Sequence, residues 1–316
     1  MKKTYLDLDS NMTEEALCKE VQDLDIRCNK STSLTTDNND SNKKNDSCGD
    51  RLGVDVAPVT KTPTKSDIRN TVWLMMQSQR LIKDYPPSCF EKIPNFIGSG
   101  YAAERLAKLK EFKNAKNVKV NGSLAQQHVR FTAMKMKKTL YVPCPALTTD
   151  FFYKLDPKTF TESWHIKRAS SKAGAAELGE KITLQNIDSV KLDFVVVASV
   201  ACSYNGVRLG KGYGYAELEW AILYLSGAVT KNTLVVTTVH DSQVLNKKRM
   251  PLTLMSDHDL PVDIIVTPTR VISVRKRLKK PTCGVLWDKL TPERIKEIPI
   301  LSAVREKFYK QSSTVT

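Results

Sequence analysis

The chain has 316 residues, 41% hydrophobic and 26% charged, with 13 glycines and 14 prolines, a balance that excludes collagen-like, low-complexity and wholly disordered classes. Its formal charge of +15 is unevenly spread: residues 1–64 hold 9 Lys and Arg against 12 Asp and Glu (−3), leaving 40 against 22 (+18) for residues 65–316. The longest apolar stretches, 194–202 and 220–229, fall well short of the ~20 residues a membrane-spanning helix needs, and the acidic N-terminus lacks a signal region, so a cytosolic location is expected.

Residues 1–64 carry no sustained apolar period, and 29–50 are almost entirely Ser, Thr, Asn, Asp and Lys, so this acidic tail is expected to be disordered. Segment 14–26 has too few apolar residues to favour a partner-binding amphipathic helix. One folded domain is expected over 65–316. Ile68, Val72, Met75, Met76 and Ile82 recur at helical spacing and predict a helix reaching about residue 84, its first turn capped by Ser66 or Asp67. A second helical pattern, Ala102, Leu106, Leu109 and Phe112, follows the turn at Gly98-Ser99-Gly100. Short strands are predicted at 118–120 and 139–142, the latter stopped by Pro143 and Pro145, and a short helix at 175–178 within a mixed segment. The clearest strand, 192–200, is apolar enough to be covered on both faces. A helix at 215–225, strands at 234–239, 262–267 and 271–274, and a closing helix over 293–309 broken at Pro299 complete the pattern. Strands alternating with helices predict a three-layer α/β/α domain with a largely parallel sheet.

The seven cysteines (18, 28, 48, 89, 144, 202 and 283) are scattered without a Cys-x-x-Cys pair, which argues against a disulfide framework or zinc ribbon. None of the histidines (128, 165, 240 and 258) stands at helical metal-ligand spacing from another. His240-Asp241 and His258-Asp259 are read as surface or hydrogen-bonded loop pairs, and Trp73 and Trp220 as core. A net +18 favours phosphate-bearing ligands. The run Arg275-Lys276-Arg277-Leu278-Lys279-Lys280 is a nucleic-acid or localisation patch, or equally a solvated loop.

The most informative stretch is Arg208-Leu209-Gly210-Lys211-Gly212-Tyr213-Gly214-Tyr215-Ala216-Glu217. Alternate glycines let backbone approach a ligand, the loop opens a helix whose first amides favour anions, and Arg208 and Lys211 add cations. A plain strand-to-helix turn is the alternative, and the spacing is neither that of a Walker loop nor of a dinucleotide fingerprint. Lys211-Gly212-Tyr213-Gly214-Tyr215-Ala216 also approaches an RNA-recognition RNP1 signature. Leu218 at the last aromatic position and the helix formers after it place that reading below a phosphate loop.

With Lys65-x-x-x-Arg69 and Asp259-Leu260-Pro261-Val262-Asp263 in the right order, this stretch resembles the nucleotide-binding signature of the 5-formyltetrahydrofolate cyclo-ligase family. Ile93-Pro94-Asn95-Phe96-x-Gly98-Ser99, Val239-His240-Asp241-x-Gln243-Val244 and Thr267-Pro268-Thr269-Arg270 look like its methenyltetrahydrofolate synthase domain-containing group. The resemblance implies the layered fold shared with sugar-phosphate isomerases and CoA transferases, with ATP and Mg2+ as cofactors and a reduced folate as partner. It implies that Lys65, Arg69 and Arg208 neutralise ATP phosphates, with Lys65 and Arg208 catalytic. Gly210, Lys211, Gly212, Gly214 and Tyr215 would wrap the phosphates, and Glu217 and Asp259 would hold magnesium. The enzymes usually read Gly-Tyr-Tyr-Asp-Arg where this chain has Gly214-Tyr215-Ala216-Glu217-Leu218, and Glu104 is the only candidate for their folate-contacting acid. A cyclo-ligase-like protein that keeps its ATP loop beside an altered folate site is therefore expected. An active ATP-dependent ligase forming 5,10-methenyltetrahydrofolate and an RNA-binding module using the basic surface are the alternatives. Members of the group often carry a later RNA recognition motif, which is not expected in the residues left here.

Overall fold

A computed structural model describes residues 63–147 and 150–309, so the acidic tail to residue 62, with its 14–26 segment, lies outside the described residues. Helix α1 (Lys65–Ser78) turns Ile68, Val72, Trp73 and Met76 inward. Its start corrects the expected cap. The Thr64 hydroxyl accepts from the Asp67 amide at 3.2 Å while the Asp67 carboxylate accepts from the Thr64 amide at 2.9 Å, a reciprocal box that places Ser66 inside the helix. The helix also stops before residue 84, because Arg80 takes a left-handed φ of 53° and Ile82 forms a bridge with Phe96. The helix expected over 102–112 is two, α2 (Ser99–Ala107) and α3 (Lys110–Asn114), separated where Leu109 turns extended.

Strands β1 (Asn117–Val120), β2 (Thr139–Pro143), β3 (Asp150–Leu155), β4 (Glu180–Thr183), β5 (Phe194–Val197), β8 (Leu234–Thr238), β10 (Ile264–Val266) and β11 (Val271–Ser273) form one sheet in the order β11-β10-β8-β5-β1-β2-β3-β4. The run from β10 to β2 is parallel, and the strands beyond it on either side are antiparallel. Period-two alternation splits the core: Val195 and Val197 of β5 join one cluster, Phe194 and Val196 the other. Helices α7 (Tyr215–Leu225), α8 (Pro292–Glu297) and α9 (Ile300–Tyr309) cover the first face. Helices α2, α4 (Gln127–Lys135), α5 (Ser163–Ser170) and α6 (Lys172–Leu178) cover the second. The expected three-layer arrangement with a largely parallel sheet is the observed one.

The strand expected over 192–200 ends at Val197. The chain then leaves the main sheet and enters a small one in which β6 (Ala201–Ser203) pairs antiparallel with β7 (Arg208–Leu209) and parallel with β9 (Val244–Leu245). Arg208 drives this departure, because the Ala198 carbonyl accepts from its guanidinium instead of from a neighbouring strand. Val200, Ala201, Val207 and Leu209 pack under α1 in a third cluster with Ile68 and Val72.

Gly98 opens α2 at φ 82°, and a Cβ there would lie 2.8 Å from Pro268 Cγ. Gly98→Ala is therefore expected to cost about 2 kcal/mol or more from left-handed backbone and overlap with a rigid ring, lowering the melting temperature by roughly 5 °C in calorimetry.

Candidate functional site

The start of α7 sets the geometry. Gly212 (φ 109°) and Gly214 (φ 69°) take backbone that a side chain disfavours, and Gly214 begins the helix without a side-chain cap over its first amides. The loop from Arg208 to Glu217 wraps a cavity of about 250 Å³ whose wall also includes Lys65 and Arg69 of α1, Asn121 after β1, Ala198 after β5, and His258 and Asp259. Residues separated by up to 194 positions meet here, at the carboxyl ends of central parallel strands, where open α/β sheets bind ligands.

Two ion pairs frame the cavity. Lys65 Nζ donates to Asp259, and Arg208 Nη2 donates to Glu217. Arg208 is almost fully buried. Its Nε donates to the Leu260 carbonyl at 3.1 Å and its Nη1 to the Ala198 carbonyl at 2.8 Å. Arg69 Nε donates to the Gly210 carbonyl at 2.7 Å, stitching α1 to the loop, and a Cβ at Gly212 would lie 3.5 Å from the Arg69 guanidinium carbon. Burial lowers the Arg69 pKa, and the facing Glu217 and Asp259 carboxylates act in the opposite direction. Lys65, Arg69, Arg208 and Lys211 stand against two carboxylates, so the wall favours a polyanion.

Every residue expected at the nucleotide site therefore lines one cavity: Lys65, Arg69, Arg208, Gly210, Lys211, Gly212, Gly214 and Tyr215, with Glu217 and Asp259 beside them. A model of the 5-formyltetrahydrofolate cyclo-ligase family matches residues 61–268, which contain all ten. The chain belongs to the 5-formyltetrahydrofolate cyclo-ligase family. It is 40% identical over 253 residues to a methenyltetrahydrofolate synthase domain-containing protein of Bos taurus and 41% identical over the same length to that of Mus musculus. These matches cover 80% of this chain but 65% and 66% of those relatives, so the chain spans about two-thirds of their length. The solved 5,10-methenyltetrahydrofolate synthetase of Aquifex aeolicus aligns at 21% identity and a TM-score of 0.42, covering 68% of this chain and 95% of that one.

Against the cyclo-ligase pattern, the three altered positions differ in consequence. Ala216 lines the cavity. Glu217 keeps a carboxylate at the wall, whereas Leu218 turns away and packs on the core cluster containing Trp220. Glu104 is an exposed residue of α2 and does not line the cavity. Tyr215 stands on a helix, so the RNP1-like residues form no strand platform. Of the basic run, Lys280 is buried on Asp263 at 2.8 Å, while Arg275, Lys276, Lys279 and Arg277, which lies 3.8 Å from Asp263, are exposed. Asp241 accepts from Thr267 and Thr269 hydroxyls at 2.7 and 2.6 Å, while His240 Nδ1 pairs with Ser242 Oγ at 2.8 Å.

Sequence reasoning missed Asn121, His258 and a buried ion pair beneath the cavity. Lys119 Nζ donates to Glu219, both nearly inaccessible, and Asn121 Nδ2 reaches the same carboxylate at 3.4 Å while Asn121 Oδ1 accepts from the Ala198 amide at 3.2 Å. The available signal was a lysine inside the apolar strand Val118-Lys119-Val120 and a glutamate beside Trp220. Each needs a partner once buried. Nearby on α4, His128 is held down to about 4 by burial first, then by Lys83 and Arg130. Its folded pKa lies below the unfolded value, so the stability it contributes is present above about 6.5 and lost as pH falls toward 4. Stability is expected to drop by about 2 kcal/mol between pH 7.5 and 5 through this group. Urea titrations of the parent and His128→Gln at both pH values check it, the variant showing the smaller drop.

Proposed function

We propose that the cavity binds the polyphosphate of ATP with magnesium, and that the chain is a cyclo-ligase-like protein keeping this nucleotide site beside an altered folate site. One observation carries the reading: the cations Lys65 and Arg69 on α1 and Lys211 on the glycine loop converge on one cavity wall with the uncapped start of α7. Phosphate oxygens compete for Lys65, Arg69 and Lys211, while first-turn amides of α7 supply further donors. Arg208 stays with its two carbonyls and orients Glu217, acting on the phosphates through the loop it holds.

The donor set fits magnesium in one mode. Glu217 and Asp259 offer hard carboxylate oxygens, and among the described residues no three His, Cys, Asp or Glu groups form a metal cage. A magnesium ion that arrives with nucleotide needs one or two carboxylates, its remaining positions going to phosphate and water. When bound, it neutralises charge on the phosphates. Polyphosphate drawing Lys65 away frees Asp259 for that role. Ala216 removes the aromatic wall expected beside a folate, which supports retained nucleotide binding more strongly than turnover of 5-formyltetrahydrofolate.

Calorimetric titration of the full chain with MgATP tests this reading. Lys65→Ala and Asp259→Asn are each expected to weaken binding at least tenfold, about 1.4 kcal/mol, with melting temperatures near the parent's. Unchanged affinity in both would refute the site. A parallel assay for ADP release with 5-formyltetrahydrofolate separates ligase from binding protein. A second reading, RNA on the basic surface, is favoured by the exposure of Arg275, Lys276 and Lys279; RNA binding that does not weaken with salt would count against it.

A further inference from the structure

The glycine loop is gripped from outside the cavity by a residue beyond the family match. Thr291 caps α8 by accepting from the Arg294 amide at 3.2 Å, and Pro292 occupies its first turn, which fixes where residue 294 leaves the helix. Ile298, Ile300, Leu301 and Val304 pack in the same core cluster as Trp220 and Ile222 of α7. From this anchored base Arg294 Nη2 donates to the Tyr213 carbonyl, and its guanidinium carbon lies 5.0 Å from the Tyr215 ring centroid. Lys211 Nζ lies 4.8 and 5.9 Å from the Tyr213 and Tyr215 rings. Tyr213, Gly214 and Tyr215 are where the backbone turns left-handed and α7 begins. One planar cation therefore holds both sides of that turn.

We infer that Arg294 is a positioning residue for the polyphosphate site: it fixes the Tyr213 carbonyl and the Tyr215 ring, which keeps the loop in its wrapped conformation. The inference rests on the proposed nucleotide site for its ligand but not for its mechanics. With Tyr215 held by Arg294, Lys211 is free to leave the two rings for an anion without the loop unwinding. A fork that donates to a carbonyl while its guanidinium carbon stands over a ring is a task for arginine, since an ammonium is a point charge. The Arg294–Glu297 pair at 2.9 Å is an exposed i,i+3 contact, and such contacts contribute little.

The test uses the full chain and three variants, Arg294→Ala, Arg294→Lys and Glu297→Ala, with two readouts. One is hydrogen exchange of amides 211–217 without ligand; the other is calorimetric affinity for MgATP and for magnesium tripolyphosphate, a probe without a nucleoside. Arg294→Ala is expected to speed exchange across 211–217 and weaken both ligands about tenfold, Arg294→Lys to recover little, and Glu297→Ala to match the parent. Unchanged exchange in Arg294→Ala overturns the inference, as does full recovery by Arg294→Lys. A parent that binds neither probe removes the proposed nucleotide site, and faster exchange in Arg294→Ala then still supports the loop-holding role.

Discussion

Arg208→Ala is expected to lower stability by about 3 to 5 kcal/mol and to abolish detectable MgATP binding. The guanidinium is 1% exposed and its carboxylate partner Glu217 17% exposed, so removing the cation strands a largely buried charge. Two carbonyls, at Ala198 and Leu260, lose their donor in the same step. The three partners belong to the end of the main sheet, the segment before β10 and the first turn of α7, so one side chain ties three parts of the cavity together. Arg208→Lys should recover little, because one ammonium cannot reach all three in the geometry of a fork. Thermal unfolding checks this: a drop on the order of 10 °C is expected for Arg208→Ala, and a drop under 3 °C would sink the assignment.

The second large effect lies at Lys119 and Glu219. Their side chains are 1% and 5% exposed beneath the cavity floor, in the middle of the sheet and the inner face of α7. Lys119→Met or Glu219→Leu alone leaves an uncompensated charge in the core, with an expected cost of about 3 to 5 kcal/mol. The double substitution removes both charges and fills similar volume, so it should return to within about 1 kcal/mol of the parent, the sign of a coupled pair. Asn121 is the link to the site, since it touches Glu219 and accepts from the Ala198 amide. A double variant that regains stability but binds MgATP more weakly would show that the pair also aligns Asn121. A cost for the double equal to the sum of the two single costs would mean no coupling.

Much of this arrangement was readable in advance, for identifiable reasons. Apolar runs such as Phe194-Val195-Val196-Val197 report a doubly covered strand directly, and glycines at alternate positions before a helix report a loop that must take left-handed backbone. Element ends were less readable because they depend on remote partners: the strand after Val197 is diverted by the Ala198–Arg208 bond, and α1 stops where Arg80 turns left-handed. Helix α4 escaped notice because its inward face carries Arg130, whose guanidinium is spent on the Ser170 and Ser123 carbonyls. At the site, the residue types were legible but their pairing was not. Nothing local to Arg208 says that Leu260 will offer it a carbonyl, and nothing local to Arg294 points to Tyr213, 81 residues earlier.

The Thr64 capping box has a practical consequence for any shortened version of the chain. Composition suggests a cut just before Lys65, where charge changes sign, yet that cut deletes the hydroxyl that caps α1 and frees the Asp67 carboxylate from its reciprocal bond. It also sets a new terminal ammonium at the positive end of the helix, an unfavourable placement added to about 1 kcal/mol for the lost cap. Lys65 on that same first turn and Arg69 one turn further on line the cavity, so a fragment trimmed by composition alone would begin with a frayed wall of its own binding site. Starting at or before Pro63 leaves it whole.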